Sequence, residues 1–145
     1  MLWSLSVAAE VFVFFLAGPR LLRHLTPAGA IALAALAAAG RWLVAAFTAD
    51  LPALIITQPL HGITFALLHL ACMRLLAVTV PAHLAATAQA LCGTVGVGAA
   101  TVLLTLASGW LYERLGASAF AIMSVLCLFA LPLAAALRNA EEPAP

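Results

Sequence analysis

Long apolar runs that carry almost no charge restrict the fold of this chain more than any other feature. A membrane-spanning helix needs about 20 mostly apolar residues, and five segments of the sequence meet that requirement. They cover residues 2–18, 28–47, 51–76, 84–111 and 117–137. Of the 145 residues, 66% are hydrophobic and 8% are charged, whereas soluble domains have about 45–50% apolar and about 25% charged residues. The sequence therefore predicts an integral membrane protein.

The apolar runs have the pattern of helices rather than of barrel strands. Strands of a transmembrane barrel show about ten residues of alternating hydrophobicity, and the run at residues 30–39 does not alternate. We therefore predict an all-α fold, a polytopic bundle of five transmembrane helices within residues 1–137. A short cytoplasmic tail is predicted at residues 138–145. Pro59 lies inside the third predicted helix and predicts a kink there.

Arginines are concentrated at one end of the predicted helices. The loop after the first helix, the loop after the third helix and the C-terminus hold four arginines, and the opposite side holds one. The four are Arg20, Arg23, Arg74 and Arg138, and the one is Arg114. Because Lys and Arg are enriched in short cytoplasmic loops, we expect the end with four arginines in the cytoplasm. The N-terminus is then expected on the outside.

Composition and motifs disfavour several functional classes. A net charge of +1 leaves no basic stripe for nucleic acid. The sequence has no HExxH, no GxSxG and no pair of aspartates, so an enzyme is not predicted. His61 and His69 are separated by about 12 Å along a helix, which is too far to share one metal ion. No metal and no cofactor are expected.

Three ionisable residues lie within the predicted spans at similar depths. At about 1.5 Å per residue, Glu10 lies about 12 Å, Arg41 about 9 Å and His61 about 15 Å from the outer end of its helix. Charged residues inside a membrane are costly and mostly face the bundle interior or a cavity, so we expect one buried network. It has two interpretations. It is a proton or substrate relay in which His61 titrates near neutral pH, or Glu10 and Arg41 neutralise each other and hold the helices together.

Further polar and small residues mark one face of each of two helices. Gln58, His61 and His69 lie on one stripe of the third predicted helix, because successive residues are about 100° apart. On the fourth helix a polar residue and three small residues recur at helical spacing. They are Gln89, Gly93, Gly96 and Ala100. Small residues permit close helix packing, and they also permit neighbouring helices to slide.

A series of short motifs resembles the carboxyl half of major facilitator superfamily transporters. In chain order the motifs are Trp3-Ser-Leu-Ser-Val-Ala-Ala-Glu10, Arg41-Trp42, Gln58-Pro-Leu-His61-Gly-Ile-Thr-Phe65 with His69, Ala88-Gln89, and Gly109-Trp-Leu-Tyr-Glu-Arg-Leu-Gly116. The series is most similar to the phenylpropionate permease-like group, which is related to lactose-permease-type proton symporters. The resemblance covers nearly the whole chain as helices eight to twelve. It implies a partial major facilitator fold in the bacterial inner membrane.

The resemblance also implies roles for individual residues. In such symporters an Arg of the ninth helix and a His of the tenth belong to the proton-coupling and substrate network, and Arg41 and His61 match these positions. Where lactose-permease-type proteins have a Glu one turn after that His, this sequence has Thr64. Glu10 is the substitute candidate for the proton carrier. The full set of candidates for proton coupling or for the substrate cavity is Glu10, Arg41, Gln58, His61, Thr64, His69 and Gln89.

The function implied is that of the carboxyl-terminal portion of a secondary active transporter, which takes up a small organic solute with protons. Its expected partners are that solute, protons, the lipid bilayer and an amino-terminal transporter half that this sequence does not contain. The predicted N-terminus lies outside the cell and begins directly with an apolar residue, and the number of helices is odd. Both features also suggest the carboxyl-terminal part of a longer protein. The alternative hypothesis is a free-standing five-helix membrane scaffold or subunit without transport activity of its own.

Overall fold

Every regular element in the described part of the chain is a helix. The computed structural model describes residues 2–141, with side chains from residue 2 to residue 138. Helix α1 covers Leu2–Leu21, α2 covers Pro27–Phe47 and α3 covers Leu51–Thr79. Helix α4 covers residues 85–115 and α5 covers residues 119–141, with 3-10 turns at Ala82–Leu84 and Gly116–Ser118. The predicted all-α class is confirmed for these residues.

Helices α1, α3, α4 and α5 contain irregular segments. Three of these segments are π-helical: Val13–Ala17 in α1, Ile63–Leu67 in α3 and Cys92–Ala99 in α4. Helix α3 is interrupted at Gln58, directly before Pro59, and α5 is interrupted at Phe129. Short π-helical segments within α-helices are frequent at functional sites. Those of α1 and α3 begin within three residues of Glu10 and His61.

Four of the five helices end later than the sequence pattern predicts, and α2 ends at Phe47 as predicted. Helix α1 runs to Leu21 instead of ending at Gly18, although a proline inside a helix removes a hydrogen bond and clashes with the preceding turn. The N–H of Gly18 donates to the carbonyl oxygen of Val13, and this wider π turn lets the helix pass through Pro19. At the other end, residues 138–141 continue α5, and residues 142–145 of the predicted tail lie outside the described residues.

Alanines of α2 form the packing surface at the centre of the bundle. Ala28, Ala30, Ala34, Ala35 and Ala39 are all buried. On one side, Ala30 belongs to a buried cluster with residues of α1 and α3. On the other side, the hydroxyl of Ser124 in α5 donates to the carbonyl oxygen of Ala39 at 2.8 Å. Because small side chains let neighbouring helices approach closely, α2 is held between α3 and α5, and Arg41 is fixed at the end of this contact.

Four helical runs in the described residues are long and apolar enough to cross a membrane. The fourth, Ala82–Arg138, joins α4 and α5 and has 57 residues, which would extend about 85 Å as one helix against about 30 Å for the hydrocarbon core. The run folds back at Gly116, whose φ of +57° is one that glycine adopts readily. The rings of Tyr112 and Phe120, about 12 Å apart along a straight helix, are 5.8 Å apart.

The outer surface of the bundle is apolar, and one face of α4 is open. Large side chains such as Phe15 and Phe47 are 77% and 80% exposed, which suits contact with lipid or with further helices rather than with water. A Cβ added at Gly93 would meet no atom within 4 Å among the described residues. Gly96 is likewise exposed and Ala100 is partly buried. Close packing against this small-residue face remains a prediction.

The arginine-rich end of the bundle is assembled from three parts of the chain, which gives a test of orientation. Arg74 at the end of α3 donates to the carbonyl oxygen of Leu22 in the α1–α2 loop. Single cysteines are introduced into a version of the chain that lacks its own cysteines. In intact cells, a membrane-impermeant maleimide is expected to label Asp50→Cys and Ala117→Cys but not Arg23→Cys, because arginine-rich loops stay in the cytoplasm. Labelling of Arg23→Cys in sealed cells would reverse the orientation.

Candidate functional site

The structure places the three ionisable residues of the predicted network in one hydrogen-bonded chain. Nε2 of His61 lies 2.9 Å from Oε1 of Glu10, and Nδ1 of His61 lies 3.1 Å from Nη1 of Arg41. The side chains of His61 and Glu10 are 19% and 18% exposed. The three residues come from α3, α1 and α2, so the network connects three helices of the bundle.

The donors and acceptors in this chain define the state of His61. A guanidinium group only donates hydrogen bonds, so Nδ1 of His61 accepts from Arg41 and Nε2–H donates to Glu10. A neutral imidazole thus stands between a cation and a carboxylate. A second proton on His61 would occupy Nδ1 and remove the acceptor that Arg41 uses. Protonation of His61 and its contact with Arg41 therefore exclude each other.

His61 also separates Glu10 from Arg41, which bears on the interpretation that these two charges simply neutralise each other. In the described residues Glu10 contacts His61, and Arg41 contacts the opposite ring nitrogen. The two charges thus act on each other through the imidazole ring of His61. The geometry fits both interpretations of the network, the proton or substrate relay and the neutralisation of charge that holds the helices together.

Gln58 connects the break in α3 to α1. Pro59 has no N–H to donate, and the N–H of Gln58 bonds to the carbonyl oxygen of Ile55 at 3.2 Å. The side-chain amide of Gln58 donates to the carbonyl oxygen of Leu54 at 3.0 Å, which satisfies a backbone acceptor beside the break. The other end of this amide, Oε1, accepts from the hydroxyl of Ser6 at 2.5 Å.

Helices α1 and α3 approach each other closely beside the Glu10–His61 contact. A Cβ added at Gly62 would lie 2.6 Å from the carbonyl oxygen of Ala9 and 3.1 Å from the backbone nitrogen of Glu10. Only glycine fits this position, because the neighbouring atoms belong to the backbone and have no alternative rotamer. Gly62 therefore sets the separation at which the carboxylate of Glu10 reaches His61.

Arg41 connects His61 of the network to an aromatic cluster of α2 and α5. Its guanidinium carbon lies 4.9 Å from the ring centroid of Trp42, within the range of a cation–π interaction. Trp42 in turn stacks on Phe120 with centroids 5.6 Å apart. The Nε atom of Arg41 is buried and has no hydrogen-bond partner among the described residues. Arg41 therefore has donor capacity beyond its bond to His61.

The remaining predicted residues divide between a cavity and the helix backbone. His69 and Gln89 line a cavity of about 400 Å³ between α3 and α4, together with Phe65 and Gly93. Phe65 stacks between His61 and His69, with ring centroids 6.2 Å and 6.5 Å away. Thr64 instead donates to the carbonyl oxygen of His61 in its own helix at 2.9 Å. Its hydroxyl makes no other hydrogen bond among the described residues.

Three residues of the site are absent from the predicted set. Ser6 binds Gln58, Trp3 lies with its ring centroid 6.1 Å from that of His61, and Gly62 forms the close helix contact. Ser6 and Trp3 precede Glu10 by four and seven residues, which places them on the same helix face. That spacing is the signal that could have identified them.

A membrane bundle with a chain of partly buried ionisable groups between its helices is typical of proteins that move protons or solutes. Residues 1–123 match the family model described as the MFS_1 like family, and the chain belongs to this family of the major facilitator superfamily. The predicted resemblance to major facilitator transporters is thereby confirmed. Together with the apolar helices, the match fits a multi-pass protein of the inner membrane.

One curated relative matches over most of this chain. It is the protein of Escherichia coli (strain K12) named "Probable 3-phenylpropionic acid transporter", which is 35% identical over 127 residues. The match covers 88% of this chain and 33% of the relative, so the chain spans about a third of the relative's length. No solved structure matches this chain.

Proposed function

We propose that this chain forms part of the pathway of a transporter that takes up a small organic acid together with protons. The observation that carries the proposal is the hydrogen-bonded chain from Glu10 through His61 to Arg41, partly buried among three apolar helices. Membership of the family supports the transporter class. The name of the Escherichia coli relative supports an organic acid as the class of solute.

The geometry supports a coupling step in which the proton and the solute depend on each other. When His61 takes up a proton at Nδ1, it loses its hydrogen bond with Arg41. The guanidinium is then free to bind the carboxylate of the solute, for which its planar donors are well suited. The unpartnered Nε atom supplies a further donor. Proton uptake thus prepares Arg41 for the solute, and Glu10 stabilises the imidazolium that forms.

The cavity between α3 and α4 is our candidate for the organic part of the solute. Its volume of about 400 Å³ lies within the range of small-molecule sites. Phe65 provides an aromatic wall and stacks on His61 of the network. His69 and Gln89 add polar groups on opposite helices. These features support a small acid that carries an aromatic ring.

We further propose that this chain crosses the membrane five times and forms one wall of a larger cavity. The run Ala82–Arg138 is too long for one crossing and folds back at Gly116, so α4 and α5 are assigned one crossing each. In secondary transporters the substrate lies near the midplane between repeated bundles. The open face at Gly93 and Gly96 offers a surface for helices that this sequence does not contain.

The test is a chimeric transporter in which this chain replaces the matching third of the Escherichia coli relative. In vesicles with an imposed pH gradient of one unit, one proton per solute molecule sustains about a tenfold accumulation. We expect the chimera to accumulate labelled 3-phenylpropionate to about this ratio and a protonophore to abolish the accumulation. This chain produced alone is expected to accumulate none.

The chimera also discriminates between the proposal and a scaffold. A chimera that inserts into the membrane and resists protease as a folded protein, yet neither binds nor accumulates an organic acid, would contradict the proposal and favour a scaffold or subunit. Accumulation that persists with the protonophore would contradict proton coupling alone.

A further inference from the structure

A second cavity lies at the arginine-rich end of the bundle, away from the network. It has a volume of about 560 Å³ and is formed by the α1–α2 loop, the end of α3 and residue 137 of α5. The lining residues that matter here are Arg23, His24, Thr26, Arg74, Val78 and Leu137. No acidic residue lines this cavity among the described residues. It is therefore a basic cavity at the boundary of the membrane-spanning region.

The donors of this cavity are arranged for an anion. Arg74 is anchored by its bond to the carbonyl oxygen of Leu22, which holds the rest of its guanidinium at the cavity wall. Arg23 is exposed, and its side chain makes no hydrogen bond or ion pair within the described residues. Thr26 caps α2 by accepting from the N–H of Gly29 at 3.1 Å. The 21-residue helix α2 begins here, and its N-terminus adds a partial positive charge.

The apolar walls of the cavity distinguish an amphiphile from a free anion. Leu25, Leu75, Val78 and Leu137 line it beside the arginines, and Val78 is 73% exposed. A phosphate ion gains nothing from such walls, whereas an acyl chain removes them from water. Basic pockets between transmembrane helices are known to hold anionic headgroups.

We propose that this cavity binds the phosphate headgroup of an anionic phospholipid, with the acyl chains along the wall at Val78 and Leu75. Arg23 and Arg74 bind the phosphate, and Thr26 donates its hydroxyl hydrogen. The proposal is independent of the transported solute, because the cavity shares no residue with the Glu10–His61–Arg41 network.

The experiment is a lipid titration of the full chain in detergent micelles, followed by native mass spectrometry. The probes are phosphatidylglycerol and phosphatidylethanolamine with identical acyl chains. The unmodified chain is expected to bind phosphatidylglycerol more tightly than phosphatidylethanolamine. Each basic residue near an anionic membrane surface strengthens lipid binding about fivefold. Arg23→Gln/Arg74→Gln removes two such residues and is therefore expected to weaken phosphatidylglycerol binding by about 30-fold.

Two control variants and one competitor decide the outcome. Arg20→Gln and Arg114→Gln remove the same charge outside the cavity, since Arg20 donates to Leu16 in its own helix and Arg114 packs on Trp110. Equal losses in these controls would overturn the proposal in favour of unspecific surface charge. Displacement of the lipid by inorganic phosphate at equal concentration would overturn it in favour of a free-phosphate site.

A single substitution keeps the proposal testable if the double variant fails to assemble. Arg23→Gln removes no side-chain hydrogen bond or ion pair within the described residues, and Arg23 is exposed, so folding is expected to be unaffected. Its expected loss of phosphatidylglycerol binding is about fivefold, with phosphatidylethanolamine binding unchanged. Unchanged binding of both lipids to this variant would overturn the proposal.

Discussion

Replacing Glu10 by Gln is expected to abolish proton-driven accumulation in the chimeric transporter while solute exchange continues. Glutamine preserves the size of the side chain and an acceptor for Nε2–H of His61, but it carries no charge to stabilise the imidazolium that forms when His61 takes up a proton. The accumulation ratio under a pH gradient of one unit should therefore fall from about ten to about one. The measurement compares uptake of labelled solute with the gradient and exchange without it.

The same variant distinguishes a relay from a structural tie. If Glu10 serves only to balance charge, Glu10→Gln leaves the buried cation of Arg41 uncompensated, which is strongly destabilising. The result would be poor membrane assembly, and Glu10→Gln/Arg41→Gln would restore it. Glu113→Gln removes an exposed carboxylate from the turn end of α4 and serves as the control. Full accumulation by a well-folded Glu10→Gln variant would rule out both roles for Glu10.

Depth arithmetic explains why part of the site could be predicted from the sequence. Glu10, Arg41 and His61 lie at similar distances from the outer ends of their helices, and charged side chains inside a membrane usually pair with one another. The structure brings these three together through contacts of 2.9 Å and 3.1 Å. The apolar runs predict the helical class, because in lipid every backbone polar group must be paired within the protein and the runs lack the alternation of barrel strands.

The order of contacts within the site could not be predicted, because it depends on how each helix is rotated about its axis. That rotation is set by close packing of small residues such as Ala30 and Ala66, both fully buried. It places His61 between the two charges and turns Thr64 toward its own backbone. The end of α1 could not be predicted from the sequence either, because a π turn accommodates Pro19 and the helix continues to Leu21.

Gly62→Ala is expected to have the second large effect, through the distance between two helices. The added Cβ would lie 2.6 Å from the carbonyl oxygen of Ala9, and ordinary contact begins at 3.4 Å. The helices must therefore separate locally by the difference, about 0.8 Å, which would lengthen the 2.9 Å contact of Glu10 with His61 beyond hydrogen-bonding range. We expect accumulation to be lost as in Glu10→Gln, together with about 1–3 kcal/mol of stability.

Two other glycines separate this geometric effect from a general loss of packing. A Cβ at Gly18 would lie 2.5 Å from Cδ1 of Leu70 in α3 and 2.7 Å from the backbone carbonyl oxygen of Val13 in α1, so Gly18→Ala crowds α1 far from the network. It is expected to reduce thermal stability and to retain proton-driven accumulation. Gly40→Ala, where nothing lies within 4 Å, should change neither property. Equal losses of accumulation in Gly18→Ala and Gly62→Ala would attribute the effect to instability. Full accumulation in Gly62→Ala would show that the coupling does not require the close approach of Glu10 and His61.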